Sequence, residues 1–404
     1  MRLETADRES FFCSKWFVFL VTVAVYVPFG LHFQFQIPSD THDRYLPWAD
    51  ILIQHRFNYF EWVKEVHFVV PPSTYFLFVA MLAMTKVLLG NYFILGMHGL
   101  IIIVHAYTAV MLYGLLRELT GDKGVAWGTV AMYLACYQIL AWSRYLITDS
   151  FFMALMFYYF VTLARFIVMD RPDGRIWGLA HLVLLLAISL FLRPSAGFLL
   201  LSTAAALSFW LIHRKYPSVK TLAWHGAIVA SFVVAGMTLH AFIMRDVTLW
   251  PFQLGKAYLA DYISPEYHGG VVVAYLPYTY HQPPETVWDY LLISFDKFIS
   301  FYAIFAWKYR LSHKVFNLLT MGPIWIGAMI AAMGVFTFKG DKWEPWVTYS
   351  YCAIIFCFSL ATYISLTQLD IDWRYQLPLL PFMVFLAGIG VYRIKMFWQK
   401  NWMK

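Results

Sequence analysis

A short polar segment after the first long apolar run contains residue types suited to acid–base chemistry and phosphate binding. Its sequence is Pro38-Ser39-Asp40-Thr41-His42-Asp43-Arg44-Tyr45. A carboxylate can take a proton from a hydroxyl, and a guanidinium can balance the charge of a phosphate. Charged side chains beside hydrocarbon are costly and are seldom kept without a use. We interpret the segment as the catalytic edge of a membrane enzyme; the alternative is an ordinary polar loop in which Pro38 ends one helix and Asp40 caps the next.

The composition indicates a protein that crosses a membrane several times. Of the 404 residues, 61% are hydrophobic and only 13% are charged, whereas about 25% of the residues of a soluble domain are charged. The net charge of +7 does not predict nucleic-acid binding, because lysines and arginines lie between apolar runs, where such residues set topology. The expected environment is a lipid bilayer.

Ten apolar runs approach the roughly 20 residues that a membrane-crossing helix needs. They are 16–36, 92–116, 125–143, 151–168, 176–192, 196–212, 222–243, 316–338, 346–367 and 377–394. Two further runs, 73–89 and 291–307, are ambiguous, so the total ranges from 10 to 12. In the second of these, Asp296 and Lys297 suit a helix that lies in the interface with its charges in water.

The distribution of lysine and arginine decides the expected topology. If both ambiguous runs lie at the interface, the basic connections share one side with both basic termini, as the positive-inside rule requires. We therefore predict that both termini are cytoplasmic. The segments expected outside are 37–91, 144–150, 193–195, 244–315 and 368–376.

These considerations predict an all-α polytopic bundle of about 10 transmembrane helices, with interfacial helices in the first outer loop and in 285–310. We divide the chain into a transmembrane module over 1–243, which includes the outer loop 37–91, an outer segment over 244–315, and C-terminal transmembrane helices over 316–404. The stretch 244–290 is rich in tyrosine, proline and histidine. It is expected to be a lid or an acceptor-binding loop, and the alternative is a passive connection.

Four motifs occur in an order that resembles a known superfamily. They are Asp40-Thr41-His42-Asp43-Arg44-Tyr45, Pro71-Pro72-Ser73-Thr74-Tyr75, Thr148-Asp149, and Arg374-Tyr375-Gln376-Leu377-Pro378 with Pro381. Together they resemble the GT-C superfamily of glycosyltransferases, and most closely the branch of protein O-mannosyltransferases and the lipid A aminoarabinose transferase. The bundle is therefore expected to be GT-C-like.

The resemblance implies transfer of a single sugar, with inversion, from a polyprenyl-phosphate donor to a glycolipid, lipopolysaccharide or protein acceptor on the periplasmic or lumenal side. It implies that Asp40 is the general base, with Asp43 as its rival, and that Arg374 lies near the donor phosphate. Its second-loop acid falls on Asp149, which we place with the acceptor or sugar. A single carboxylate suffices, because a phosphate leaving group needs charge balance and no proton.

Further residues are assigned to the same site. Arg193, Lys64 and His67 are candidates for binding the donor phosphate; the last two are the nearest polar residues to Val69-Val70, where the aminoarabinose transferase type has Glu-Lys. Aromatic residues expected to contact acceptor or sugar are Tyr45, Trp48 and Tyr375.

Several alternatives stay open from the sequence. Asp40 and Asp149 could instead share a divalent cation, Mg²⁺ or Mn²⁺. Asp149 could simply cap a helix, and Arg374 could form solvated ion pairs with Asp370 and Asp372. At the level of the whole protein, a transporter or flippase of lipid-linked sugar, or a glycan ligase, would also need cations at the outer face.

Overall fold

The computed structural model describes residues 14–66, 72–168, 175–215, 271–272, 280–281, 287–305, 310–338, 344–367 and 373–402. These residues are almost entirely helical, and the two short strands pair antiparallel, Val271 opposite His281. The helices are α1 (Lys15–Phe33), α2 (Leu46–Gln54), α3 (Tyr59–Glu65), α4 (Phe76–Leu89), α5 (Phe93–Thr120), α6 (Lys123–Ala135), α7 (Tyr137–Ser143), α8 (Thr148–Val168), α9 (Arg175–Leu192), α10 (Phe198–Lys215), α11 (Val287–Phe301), α12 (Leu311–Phe336), α13 (Pro345–Thr367) and α14 (Leu380–Trp402).

The protein is an all-α protein with several helices able to cross a membrane. Six helical runs are long and apolar enough: Lys15–Phe33, Ser73–Thr120, Thr148–Val168, Leu311–Phe336, Pro345–Leu366 and Arg374–Asn401. The pair α6 and α7, bent by 56°, makes a seventh if it is one span. The ten expected spans are not confirmed: α9 and α10 contain shorter apolar stretches, and 222–243 lies outside the described residues.

The run Ser73–Thr120 is a helical hairpin of α4 and α5. The hydroxyl of Thr85 lies 3.2 Å from the sulfur of Met97, although 12 residues of continuous helix would separate them by about 18 Å. The chain reverses at Gly90, whose φ of +53° favours a residue without a Cβ. With 14 residues, α4 spans only about 21 Å, which is short for a membrane crossing.

Helices α12 and α14 pack with their backbones in close contact. A Cβ added at Gly390 would collide with the backbone of Gly327, and one added at Gly327 would lie 2.9 Å from the Cα of Ala387. Small residues permit this approach, which is typical of helix pairs in membranes.

The charged side chains of the described residues gather at two ends of the bundle. At one end, Asp149 begins α8; near the other end of the same helix, Arg165 pairs with Glu118 at 2.8 Å. The 16 residues between Asp149 and Arg165 correspond to about 24 Å of helix. Lys395 and Asp122 also pair at the second end, where α5 leads into α6. We call the end that carries Asp149 the site end.

Two charged residues of α11, Asp296 and Lys297, were expected to lie in water. Lys297 is only 5% exposed, so the prediction that both charges lie in water is wrong for this residue. Helix α11 packs on α13, where Phe298 meets Phe358 edge to face with ring centres 5.4 Å apart. The exposed face of α11 is apolar instead, and it carries Trp288, Leu291, Leu292, Phe295 and Ile299.

Candidate functional site

Two loops at the site end are joined by backbone hydrogen bonds. Beyond α1, the Gln36 amide donates to the Arg144 carbonyl at 2.9 Å, and the Leu146 amide donates to the Gln36 carbonyl at 2.9 Å. The hydroxyl of Thr41 also donates to the carbonyl of Leu146. These bonds hold the segment that carries Asp40 against the loop that leads to Asp149.

Asp40 forms an ion pair with Arg374, which is 334 positions away in the sequence. Asp40 stands at the N-terminal end of a π-helical turn, Thr41–Tyr45, whereas Arg374 belongs to the 3₁₀ segment Trp373–Leu379 that leads into α14. The two side chains are 24% and 25% exposed. A second arginine, Arg44, approaches the other oxygen of Asp40 at 3.5 Å. This carboxylate therefore lies between two cations and is open to solvent.

Asp149 forms a second, more deeply buried ion pair, with Arg193. The side chains are 1% and 10% exposed. Arg193 follows α9, and its guanidinium carbon lies 5.8 Å from the centre of the Phe152 ring. Burial lowers the pKa of the Arg193 guanidinium, but Asp149, Tyr375 and Tyr75 together raise it more, so the pKa is raised overall.

Tyr375 connects the two ion pairs. Its ring centre lies 5.5 Å from the guanidinium carbon of Arg193 and 5.3 Å from that of Arg374. Contacts of this kind attract a cation to the ring face. The charge of Asp149 also acts on Arg374, so the two carboxylates and two guanidiniums form one cluster. We call these five residues, Asp40, Asp149, Arg193, Arg374 and Tyr375, the site cluster.

The wall of the site cluster contains two further tyrosines. Tyr45 is 6% exposed and its ring lies 5.3 Å from that of Tyr75. Burial, followed by the effect of Tyr75, raises the pKa of the Tyr45 phenol well above its ordinary value, and the charges of Arg193, Asp40 and Asp149 also act on it. The phenol is therefore neutral at physiological pH. Because the ring is enclosed, it offers no open stacking surface for a sugar.

Other residues expected at the site lie elsewhere. Asp43 bonds to His42 at 2.7 Å and is 66% exposed, and Lys64 pairs at 3.0 Å with Glu61 of its own helix. Neither joins the site cluster.

Of the other residues named from the sequence, Trp48 is buried and three lie outside the described part of the chain. Trp48 is 7% exposed, and its carbonyl accepts a hydrogen bond from the Trp62 indole at 2.9 Å, so it packs α2 on α3. His67, Asp370 and Asp372 lie outside the described residues.

The described residues do not form a metal centre. No group of three histidine, cysteine, aspartate or glutamate residues among them could hold a metal ion. Asp40 and Asp149 each face a guanidinium, and a positively charged neighbour opposes a cation at the same carboxylate. In this part of the chain, arginines supply the positive charge of the site.

Sequence reasoning assigned no role to Arg44 or Gln376. Gln376 is 1% exposed, and its amide donates to the carbonyls of Phe301 at 2.6 Å and Ala303 at 3.2 Å. It thereby ties the end of α11 to the segment that carries Arg374. Arg44 lies next to Asp43 and Tyr45, and Gln376 lies next to Tyr375, so their position beside predicted site residues was the feature of the sequence that could have identified them.

Comparisons with known proteins provide no relative. No family model matches the sequence, and no curated protein or solved structure is significantly similar to it.

Proposed function

We propose that the protein is a membrane glycosyltransferase of the GT-C type, which moves a single sugar from a polyprenyl-phosphate donor to an acceptor with inversion. The observation that supports this is the site cluster, in which four charged residues from distant parts of the chain meet at one end of an apolar helical bundle. The acceptor class comprises glycolipid, lipopolysaccharide and protein.

We further propose that the site end faces the periplasm from a bacterial inner membrane and that both termini are cytoplasmic. The support is the sequence, in which the basic connections share one side with the basic termini when both ambiguous runs lie at the interface; Lys15, Arg165 and Lys395 lie towards the end opposite the site cluster, where Lys15 meets Gly114 of α5. Basic residues favour the cytoplasmic side.

The chemistry follows from the residue types of the cluster. The acceptor hydroxyl oxygen attacks the anomeric carbon of the donor from the side opposite the phosphate, and Asp40 takes its proton. The bond from the anomeric carbon to the phosphate oxygen breaks, and its electron pair leaves with the polyprenyl phosphate. Arg374 and Arg193 balance the growing negative charge, which is the usual role of preorganised cations at a leaving group.

Replacing the proposed base tests this function. Cells that lack the gene are complemented with the wild-type protein, Asp40→Asn or Asp43→Asn, and their glycolipids and glycoproteins are compared by mass spectrometry. Wild type and Asp43→Asn should restore a sugar that is missing from the deletion strain. Asp40→Asn should fail, because loss of a general base lowers the rate by about 10²- to 10⁴-fold.

Asp43→Asn is a matched control, since it changes an exposed carboxylate three positions away. Full activity of Asp40→Asn would refute the assignment of the base. Movement of lipid-linked sugar across reconstituted vesicles, with no new glycosidic bond, would favour a flippase instead.

A further inference from the structure

Arg374 has two incompatible tasks in the proposed reaction. It is the cation expected to hold the donor phosphate, yet in the ligand-free protein it binds Asp40. The Asp40 carboxylate occupies the Arg374 N–H that the donor phosphate would use. When the phosphate takes that place, Asp40 must leave Arg374, and the displaced carboxylate needs another cation to balance its charge beside the phosphate.

Arg44 is placed to be that cation. Its guanidinium lies 3.5 Å from the Asp40 oxygen that does not face Arg374, on the same short helical segment. The segment is fixed on both sides of Arg44, by the hydrogen bond of Thr41 to Leu146 and by the buried ring of Tyr45. The Arg44 side chain is 39% exposed, so it has room to follow the carboxylate.

We propose that Arg44 is a positioning residue that holds Asp40 when the donor phosphate displaces this carboxylate from Arg374. This inference rests on the proposed function.

The charges of the site agree with this exchange at each stage. Three guanidiniums and two carboxylates carry one net positive charge, which matches the single negative charge of the donor phosphodiester. After transfer, the proton resides on Asp40 and the site carries two positive charges. The leaving polyprenyl phosphate then approaches two negative charges at neutral pH. Without Arg44, both stages would hold one uncompensated negative charge.

The test measures binding of polyprenyl phosphate, without sugar or acceptor, to the full-length protein in nanodiscs. The variants are Arg44→Gln, Asp40→Asn and the double variant; Arg56→Gln, which changes an exposed arginine of the same loop, is the control. Asp40→Asn should bind more tightly than wild type, because it no longer competes for Arg374. Arg44→Gln should bind about 10- to 100-fold more weakly, as loss of a charge-assisted contact predicts.

The double variant tests whether Arg44 acts on phosphate binding through Asp40. In the Asp40→Asn background, Arg44→Gln should weaken binding at least about threefold less than it does in the wild-type background, because the carboxylate that needs Arg44 is absent and only the balance of the phosphate charge is affected. Arg44→Lys should retain most of the wild-type affinity. An equal loss in both backgrounds, or affinity of Arg44→Gln equal to that of wild type or of Arg56→Gln, would overturn the exchange while leaving the proposed function in place. Failure of the wild-type protein to bind polyprenyl phosphate would overturn both.

Discussion

The two ion pairs of the site cluster should contribute differently to stability. Asp149 and Arg193 are 1% and 10% exposed, whereas Asp40 and Arg374 are 24% and 25% exposed. Arg193→Met leaves the Asp149 carboxylate buried without its cation, and breaking a buried pair in this way typically costs about 3–5 kcal/mol. Arg374→Met leaves Asp40 in partial contact with water and near Arg44, so we expect a loss of about 1 kcal/mol or less.

Equilibrium unfolding of the purified variants in mixed detergent–lipid micelles measures both free energies. The double variant Asp149→Leu with Arg193→Met should recover much of the lost stability, because neutral side chains remove the desolvation penalty. It should still fail to bind polyprenyl phosphate, which separates the role of Arg193 in stability from its role in binding. Equal destabilisation by Arg193→Met and Arg374→Met would refute the argument from burial.

Three further results are expected. Tyr375→Phe should keep the affinity for polyprenyl phosphate within about twofold, whereas Tyr375→Leu should lower it about 5- to 30-fold through loss of its ring contacts with the two arginines. Gly390→Val should lower the free energy of unfolding by about 1–3 kcal/mol, because the new side chain meets the backbone of α12; Gly99→Val, with open space around it, should not meet such a clash. A hydrogen bond from Lys395 lowers the pKa of Asp122 below its ordinary value of 3.8. The stabilisation from this pair is therefore present above pH 3.8 and is lost as the pH falls through the lowered pKa. When the free energy of unfolding is measured against pH, Asp122→Asn should lack this acid-dependent loss.

The meeting of Asp40 with Arg374 could be predicted from the sequence because hydropathy and basic residues place both at the same end of the bundle. Hydropathy locates the apolar runs between them, and the lysine and arginine bias assigns both residues to the same side. The pairing of Asp149 with Arg193 was harder to predict from the sequence, since Arg193 follows a helix that only packing brings beside α8.

Other features depend on local geometry that the sequence does not reveal. The choice between Asp40 and Asp43 depends on helical phase, and the π-helical turn at 41–45 alters the phase that an ordinary α-helix would have. The break at Gly90 was visible as the gap between the runs 73–89 and 92–116, but the contact of Thr85 with Met97 across it was not. Lys297 was expected in water because charge alone does not indicate that its helix directs an apolar face outward.

The glycine contact between α12 and α14 limits where the protein can yield when a ligand arrives. Sliding α14 along its axis would replace Gly390 at this contact by a residue with a Cβ, which would collide with the backbone of α12 at Gly327, so the segment carrying Arg374 is anchored to a rigid support. The side chain of Asp40, which faces Arg374, is not held by a comparable backbone contact. Entry of a lipid phosphate should therefore be accommodated by rotation of Asp40, and Arg374 should occupy nearly the same position before and after binding.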